Sequence, residues 1–212
     1  MKAADVHASS LATSSALSVN AMPNVIPPQE VIAVLNDAEV NFVLVGAHGL
    51  GGWTKKPRAT RDVDVVVAAR HQRRAVKALL EAFPSLELVD LPVVARLTDR
   101  ETHEVAIDVM KPNQQLFKAA FQHTKTVHSG GQTYKIPSLE MALAMKFAPM
   151  VSLNREDADK YLDAHDFMHM VKSNPDIDST TLAELGELVY PGGGAEVLEL
   201  VRKTRAGEKL NL

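Results

Sequence analysis

Two stretches of this chain carry acids where apolar residues belong. RATRDVDVVVAA, residues 58–69, ends as a Val-rich strand yet holds Asp62 and Asp64. Side chains alternate along a strand, so residues two apart share a face. Val63, Val65 and Val67 then line one face, and the two aspartates sit a few ångströms apart on the other. Like charges at that separation repel unless water or a cation intervenes. HEVAIDVM, residues 103–110, repeats the pattern, with Val105, Ile107 and Val109 alternating with Ala106, Asp108 and Met110. If the two strands are neighbours, three carboxylates meet on one patch of sheet and raise each other's pKa. A bound divalent cation removes that cost, and oxygen-only donors favour Mg2+ or Mn2+ over zinc. The expectation fails if Asp108 points away from the pair, or if a cationic side chain sits permanently among the three.

An anion site precedes the acids. LVGAHGLGGW reads as a strand ending in Gly46, then small residues and a short helix, which leaves backbone N–H groups for an anion. Lys55, Lys56, Arg58 and Arg61 follow and bring positive charge suited to phosphates. A phosphate cradle, basic residues and acidic metal ligands are the components of phosphoryl or nucleotidyl transfer.

Gly46-Ala47-His48, then Arg58-x-Thr60-x-Asp62-x-Asp64, then Ile107-Asp108-Val109, resemble the minimal nucleotidyltransferase superfamily, nearest its AbiEii-type toxin branch. The resemblance covers roughly residues 30–170 and extends to a later helix bearing Lys146 and a following one with Arg155, Asp157, Asp159 and Asp163. It implies an α+β fold: a nucleotidyltransferase-like mixed sheet flanked by helices, then a helical C-terminal part. It implies that Asp62, Asp64 and Asp108 are catalytic and bind Mg2+ or Mn2+, and that Gly46, Ala47, His48, Arg58, Thr60 and Lys146 contact the nucleotide or its phosphates. The substrate is then an NTP, and the acceptor a hydroxyl of RNA, protein or a small molecule. A toxin–antitoxin setting, or a silent regulatory nucleotide-binding module that keeps the fold without turnover, also follows from that branch. Two positions depart from the pattern. Ala47 stands where Gly or Ser is usual, and the late motif runs Asp159-Lys160-Tyr161-Leu162-Asp163 rather than opening Lys-Asp. Lys146, on an apolar helix face, is equally a lysine that lays its stem along apolar surface.

The elements that must hold these residues are legible in outline. Residues 1–27 are Ala/Ser-rich, lack an apolar run and read as a disordered tail. Pro28 opens a helix whose stripe is Val31, Ile32, Val34 and Leu35. NFVLVG (41–46) and 61–68 are strands; 71–83 is a helix stopped by Pro84; 86–98 holds one or two strands; 103–110 another. NQQLFKAAFQ is a short helix, and TKTVHSGGQTYKIP a hairpin turning at Gly130-Gly131. From Ser138 onward the pattern is helical. The expected organisation is therefore a tail (1–27), an α+β domain (28–137) and a helical region (138–212).

Composition narrows the alternatives. A net charge of −3 supplies no global attraction to nucleic acid or anionic membrane, although Arg70, Arg73, Arg74 and Lys77 leave RNA open. With Cys 0, thiolate metal sites and disulfides are excluded, and a cytoplasmic location fits. No segment has the apolar length to span a bilayer. His165-Asp166-Phe167-Met168-His169 echoes a helical zinc-hydrolase motif, but Asp replaces Glu and no later His supplies a third ligand. A Rossmann start at Gly46 needs a helix between glycine loop and acid, which GGWTKKPRAT cannot form.

Overall fold

β-branched residues favour the pleated strand, and the Val run of the acidic stretch is one. In the computed structural model, which describes residues 25–54 and 60–210, helix α1 (Pro28–Asp37) leads into β1 (Phe42–Leu44), the five-residue helix α2 (Gly46–Leu50) and β2 (Val63–Val67). Helix α3 (Gln72–Ala82), β3 (Leu86–Asp90), β4 (Val94–Asp99), β5 (Val105–Met110) and the short α4 (Gln115–Ala119) follow. The tail expected over 1–27 lies, as far as residue 24, outside the described residues.

Five strands form one mixed sheet in the order β1-β2-β5-β4-β3. β1 runs antiparallel to β2, with Leu44 opposite Val65, and β5 runs parallel to β2, with Asp64 beside Asp108. β4 is antiparallel to β5, and β3 closes the edge against β4. The apolar stretch expected to give one or two strands is thus a hairpin. A parallel pair cannot be joined by a tight turn, and here α3 and the β3–β4 hairpin together make the crossover. Val63, Val65, Val67, Leu97, Ile107 and Val109 are all 0% exposed, as are Val31 and Leu35 of α1 and Ala75 and Leu79 of α3. Val63, Val65 and Val67 of β2 and Ile107 and Val109 of β5 therefore build the core, as their alternation implies, while Val105 is half-buried.

A separate hairpin joins β6 (Thr124–Ser129) to β7 (Gln132–Pro137). Its turn residues Gly130 and Gly131 have φ of 58° and 74°, the left-handed pair that a two-residue hairpin of matching twist requires. The sheet, its helices and this hairpin form one compact unit, comprising 25–52 and 60–137.

The other unit comprises 53–54 and 138–210 and is helical: α5 (Leu139–Met150), α6 (Asp157–Ser173), α7 (Ser179–Glu187) and α8 (Gly193–Ala206). The Ser138 hydroxyl caps α5 by accepting from the Met141 amide at 3.3 Å. Glu140, one position early for a capping box, instead accepts from the Asp178 amide at 3.3 Å. α5 is apolar on nearly every side, as befits a helix enclosed by others, with Met141, Leu143 and Phe147 at 0% exposure. Among the described residues, no helix is long and apolar enough to cross a membrane.

Ile107 lies at the centre of the sheet's buried face. Ile107→Ala should lower unfolding free energy by about 2–5 kcal/mol, measured by urea denaturation; a loss below about 1 kcal/mol would contradict the packing described.

Candidate active site

The parallel register of β2 and β5 does what the sequence required of it. Asp64 and Asp108 are direct partners, so their side chains leave the same face of adjacent strands, about 4.8 Å apart along the hydrogen-bonding direction. Asp62 immediately precedes the strand and shares the parity of Asp64. The Thr60 hydroxyl donates to Asp62 Oδ1, which orients that carboxylate. The three acids are thus brought to one face.

Gly46 closes on them from β1. The Val45 amide still donates to the Asp64 carbonyl at 2.9 Å, just past the end of β1 at Leu44, two residues before the sequence pattern ends. Gly46 then turns at φ +59°, and a Cβ placed there would fall 1.9 Å from Asp64 Oδ2. Only glycine tolerates both the left-handed backbone and this approach. Among the described residues, no side chain caps the start of α2, and the first-turn N–H groups of a helix have no intrahelical partner. Ala47 and His48, both half-buried, occupy that turn.

One residue of the site was not anticipated. Arg96, on β4, is the register partner of Asp108 from the other side. Its Nε donates to Asp108 Oδ1 at 2.9 Å and its Nη2 to Oδ2 at 2.8 Å, a planar two-bond fork. Asp108 is only 7% exposed, and a carboxylate that buried requires a paired charge. The bond to Asp108 foremost, and beyond it the charges of Asp108, Asp62 and Asp64, hold the guanidinium above its ordinary pKa against partial desolvation. A permanent cation therefore does sit beside the trio, and the expectation of three bare carboxylates is corrected. A signal was present in the sequence: Val94, Arg96 and Thr98 alternate with Ala95 and Leu97, which puts Arg96 on the polar face. Which acid it would meet depends on strand order.

The donor set can be tested against a metal. Asp62 and Asp64 offer hard oxygens on one face, a fit for one divalent cation. Asp108 spends one acceptor site of each oxygen on Arg96, so an ion bound there would stand beside the guanidinium. Among the described residues, no group of three or more His, Asp or Glu gathers closely enough to hold a metal.

Lys55, Lys56 and Arg58 lie outside the described residues, and Arg61 pairs with Glu104. Lys146 belongs to the helical unit. Its Nζ lies 2.9 Å from Asp163 Oδ1 and 2.8 Å from Asp166 Oδ2, while Arg155 Nε donates to Asp163 Oδ2 at 3.0 Å. These contacts unite Lys146, Arg155 and Asp163 of the residues singled out in the sequence, with Asp166 added, whereas Asp157 lies 3.8 Å from Lys160. His165 and His169 pack with ring centroids 4.4 Å apart. The antiparallel pairing of β1 with β2 excludes a Rossmann start at Gly46, which needs parallel strands.

No family model and no curated protein matches the chain. Solved structures do. An antigenic nucleotidyltransferase-like protein from Paracoccidioides brasiliensis is 18% identical, with 95% of each chain covered and a TM-score of 0.50. The antibiotic-resistance factor ANT(2'')-Ia is 10% identical, over 85% of this chain and 95% of its own, with a TM-score of 0.53. At these identities the likeness is one of fold: a mixed sheet flanked by helices, of nucleotidyltransferase type.

Two substitutions test the packing of these groups. Gly46→Ala should cost about 1–3 kcal/mol from backbone strain and overlap with Asp64. Adding Asp64→Gly should restore part of that loss in thermal melts; no restoration would mean the contact does not limit stability. Lys146→Ala leaves Asp163 and Asp166 buried without their ammonium and should cost about 3–5 kcal/mol, read by urea denaturation.

Proposed function

We propose that the sheet unit is the catalytic part of a nucleotidyltransferase that moves a nucleoside monophosphate from an NTP to a hydroxyl acceptor. The observation that supports this most is the closure of Gly46 onto Asp64 beside Asp62, in a fold of nucleotidyltransferase type. Asp62, oriented by Thr60, and Asp64 would hold Mg2+ or Mn2+; when bound, that ion neutralises charge on the triphosphate and on the oxygens entering and leaving the α-phosphorus. The N–H groups of Gly46 and Ala47 offer donors to phosphate oxygens, with no capping side chain among the described residues, and His48 borders the same turn. The acceptor hydroxyl gives up its proton to solvent as its oxygen bonds to the α-phosphorus, the bond to the bridging oxygen breaks, and pyrophosphate leaves. Gly46, by lacking a Cβ, keeps the phosphates close to the two acids. Asp108, with both oxygens held by Arg96, is assigned neither the acceptor's proton nor the first ion. Lys146 is not required by this reading, since its charge is matched by Asp163 and Asp166. The AbiEii-type resemblance extends the proposal to an RNA, protein or small-molecule acceptor.

The Arg96–Asp108 fork favours a second reading as well: a nucleotide-binding module that keeps the site but does not turn over, because its third acid is neutralised.

Incubating the chain with Mg2+, each α-labelled NTP and a cell extract separates the two. Transfer of label to an acceptor is the expected result. Asp62→Asn with Asp64→Asn should abolish labelling while the melting temperature stays near that of the parent. Full labelling by the double variant would refute the assignment. Under saturating Mg2+ and NTP, at about 100 times Kd, the fold should gain about 2.7 kcal/mol; that gain without any labelling would establish the silent module instead.

A further inference from the structure

This inference rests on the nucleotidyl-transfer reading and concerns what stands where a second metal ion would. Asp64, Asp108 and Arg96 occupy one register row across β2, β5 and β4. Asp108 spends one lone-pair site of each oxygen on Arg96, at 2.9 and 2.8 Å. A divalent ion on the remaining sites would stand against the guanidinium, and like charges in a part-buried pocket repel strongly. The guanidinium has five N–H donors; the fork uses the Nε–H and one of Nη2, which leaves three for a ligand. The Arg96 side chain is 37% exposed, against 10% for Asp108, so the guanidinium stays accessible to a ligand while its anchor is nearly buried. A guanidinium already fixed in plane loses little side-chain freedom when it grips a second oxyanion, and phosphate matches its fork.

We propose that Arg96, docked on Asp108, is a phosphate-binding residue of this site that stands in for a second divalent ion, leaving Asp62 and Asp64 to hold a single one. The role of Asp108 is then to position Arg96. Its charge, opposite to that of the guanidinium, fixes the cation without entering the chemistry.

The test is the count of bound Mn2+, read by electron paramagnetic resonance, in the wild-type chain with one equivalent of α,β-methylene ATP, whose P–C bond blocks transfer. One tightly bound Mn2+ per chain is expected. In R96M the affinity for the analogue should fall about tenfold or more, as for a lost hydrogen bond between charged groups, with the circular dichroism spectrum unchanged. R96K should recover only part of the loss, because an ammonium cannot form the planar fork. Two Mn2+ per wild-type chain would overturn this inference and leave the nucleotidyl-transfer reading standing. So would an R96M chain that binds the analogue as the parent does. A wild-type chain that binds neither Mn2+ nor the analogue would overturn both. The Mn2+ count uses the unaltered protein, so it decides the matter even if R96M does not fold.

Discussion

Setting two carboxylates side by side on neighbouring strands is unfavourable, and the sheet unit is built around making it tolerable. The parallel pairing of β2 with β5 places Asp64 against Asp108. Directly opposed like charges destabilise a sheet, and Asp108 is too buried for water to screen it. β4 resolves the conflict by laying Arg96 on the far side of Asp108. That solution depends on topology. The chain must leave β2, pass through α3, run out along β3 and return along β4 before β5 can insert between β4 and β2. Without the hairpin in between, the third acid would have no cation in register.

The helical unit meets a similar problem in a different way. Lys146 sits on a helix that is apolar apart from it and Glu140, and its ammonium is held by Asp163 and Asp166 of α6, with Arg155 completing the set. Two cations and two acids balance in a place where each alone would be costly. Such a cluster ties α5 to α6 at one register, because sliding either helix by a turn would strand a charge. The lysine whose sequence context suggested a phosphate ligand thus has a structural occupation sufficient to account for its position.

Much of this was legible in advance. Period-two alternation of valines with acids identified β2 and β5 and the face each residue takes. The paired glycines at 130 and 131 marked a hairpin, and Ser138 marked the start of α5. The site was partly legible too. Gly46, Thr60, Asp62, Asp64 and Asp108 are local features, each visible in its own strand or turn. What escaped was Arg96. Its stretch reads as an ordinary amphipathic strand with an outward-facing charge, and nothing within the stretch says what lies beside it.

The division follows from the range of the forces. Alternation, turn chemistry and helix caps act between residues a few positions apart, so sequence alone determined most of the elements, the apolar face of β2 and β5, and the presence of acids on the other. Strand order is set by how the whole chain covers its apolar surface and closes its hydrogen bonds. That choice, made only in tertiary structure, brought residues 64, 96 and 108 into one row and turned three expected bare acids into a pair of carboxylates beside a neutralised third.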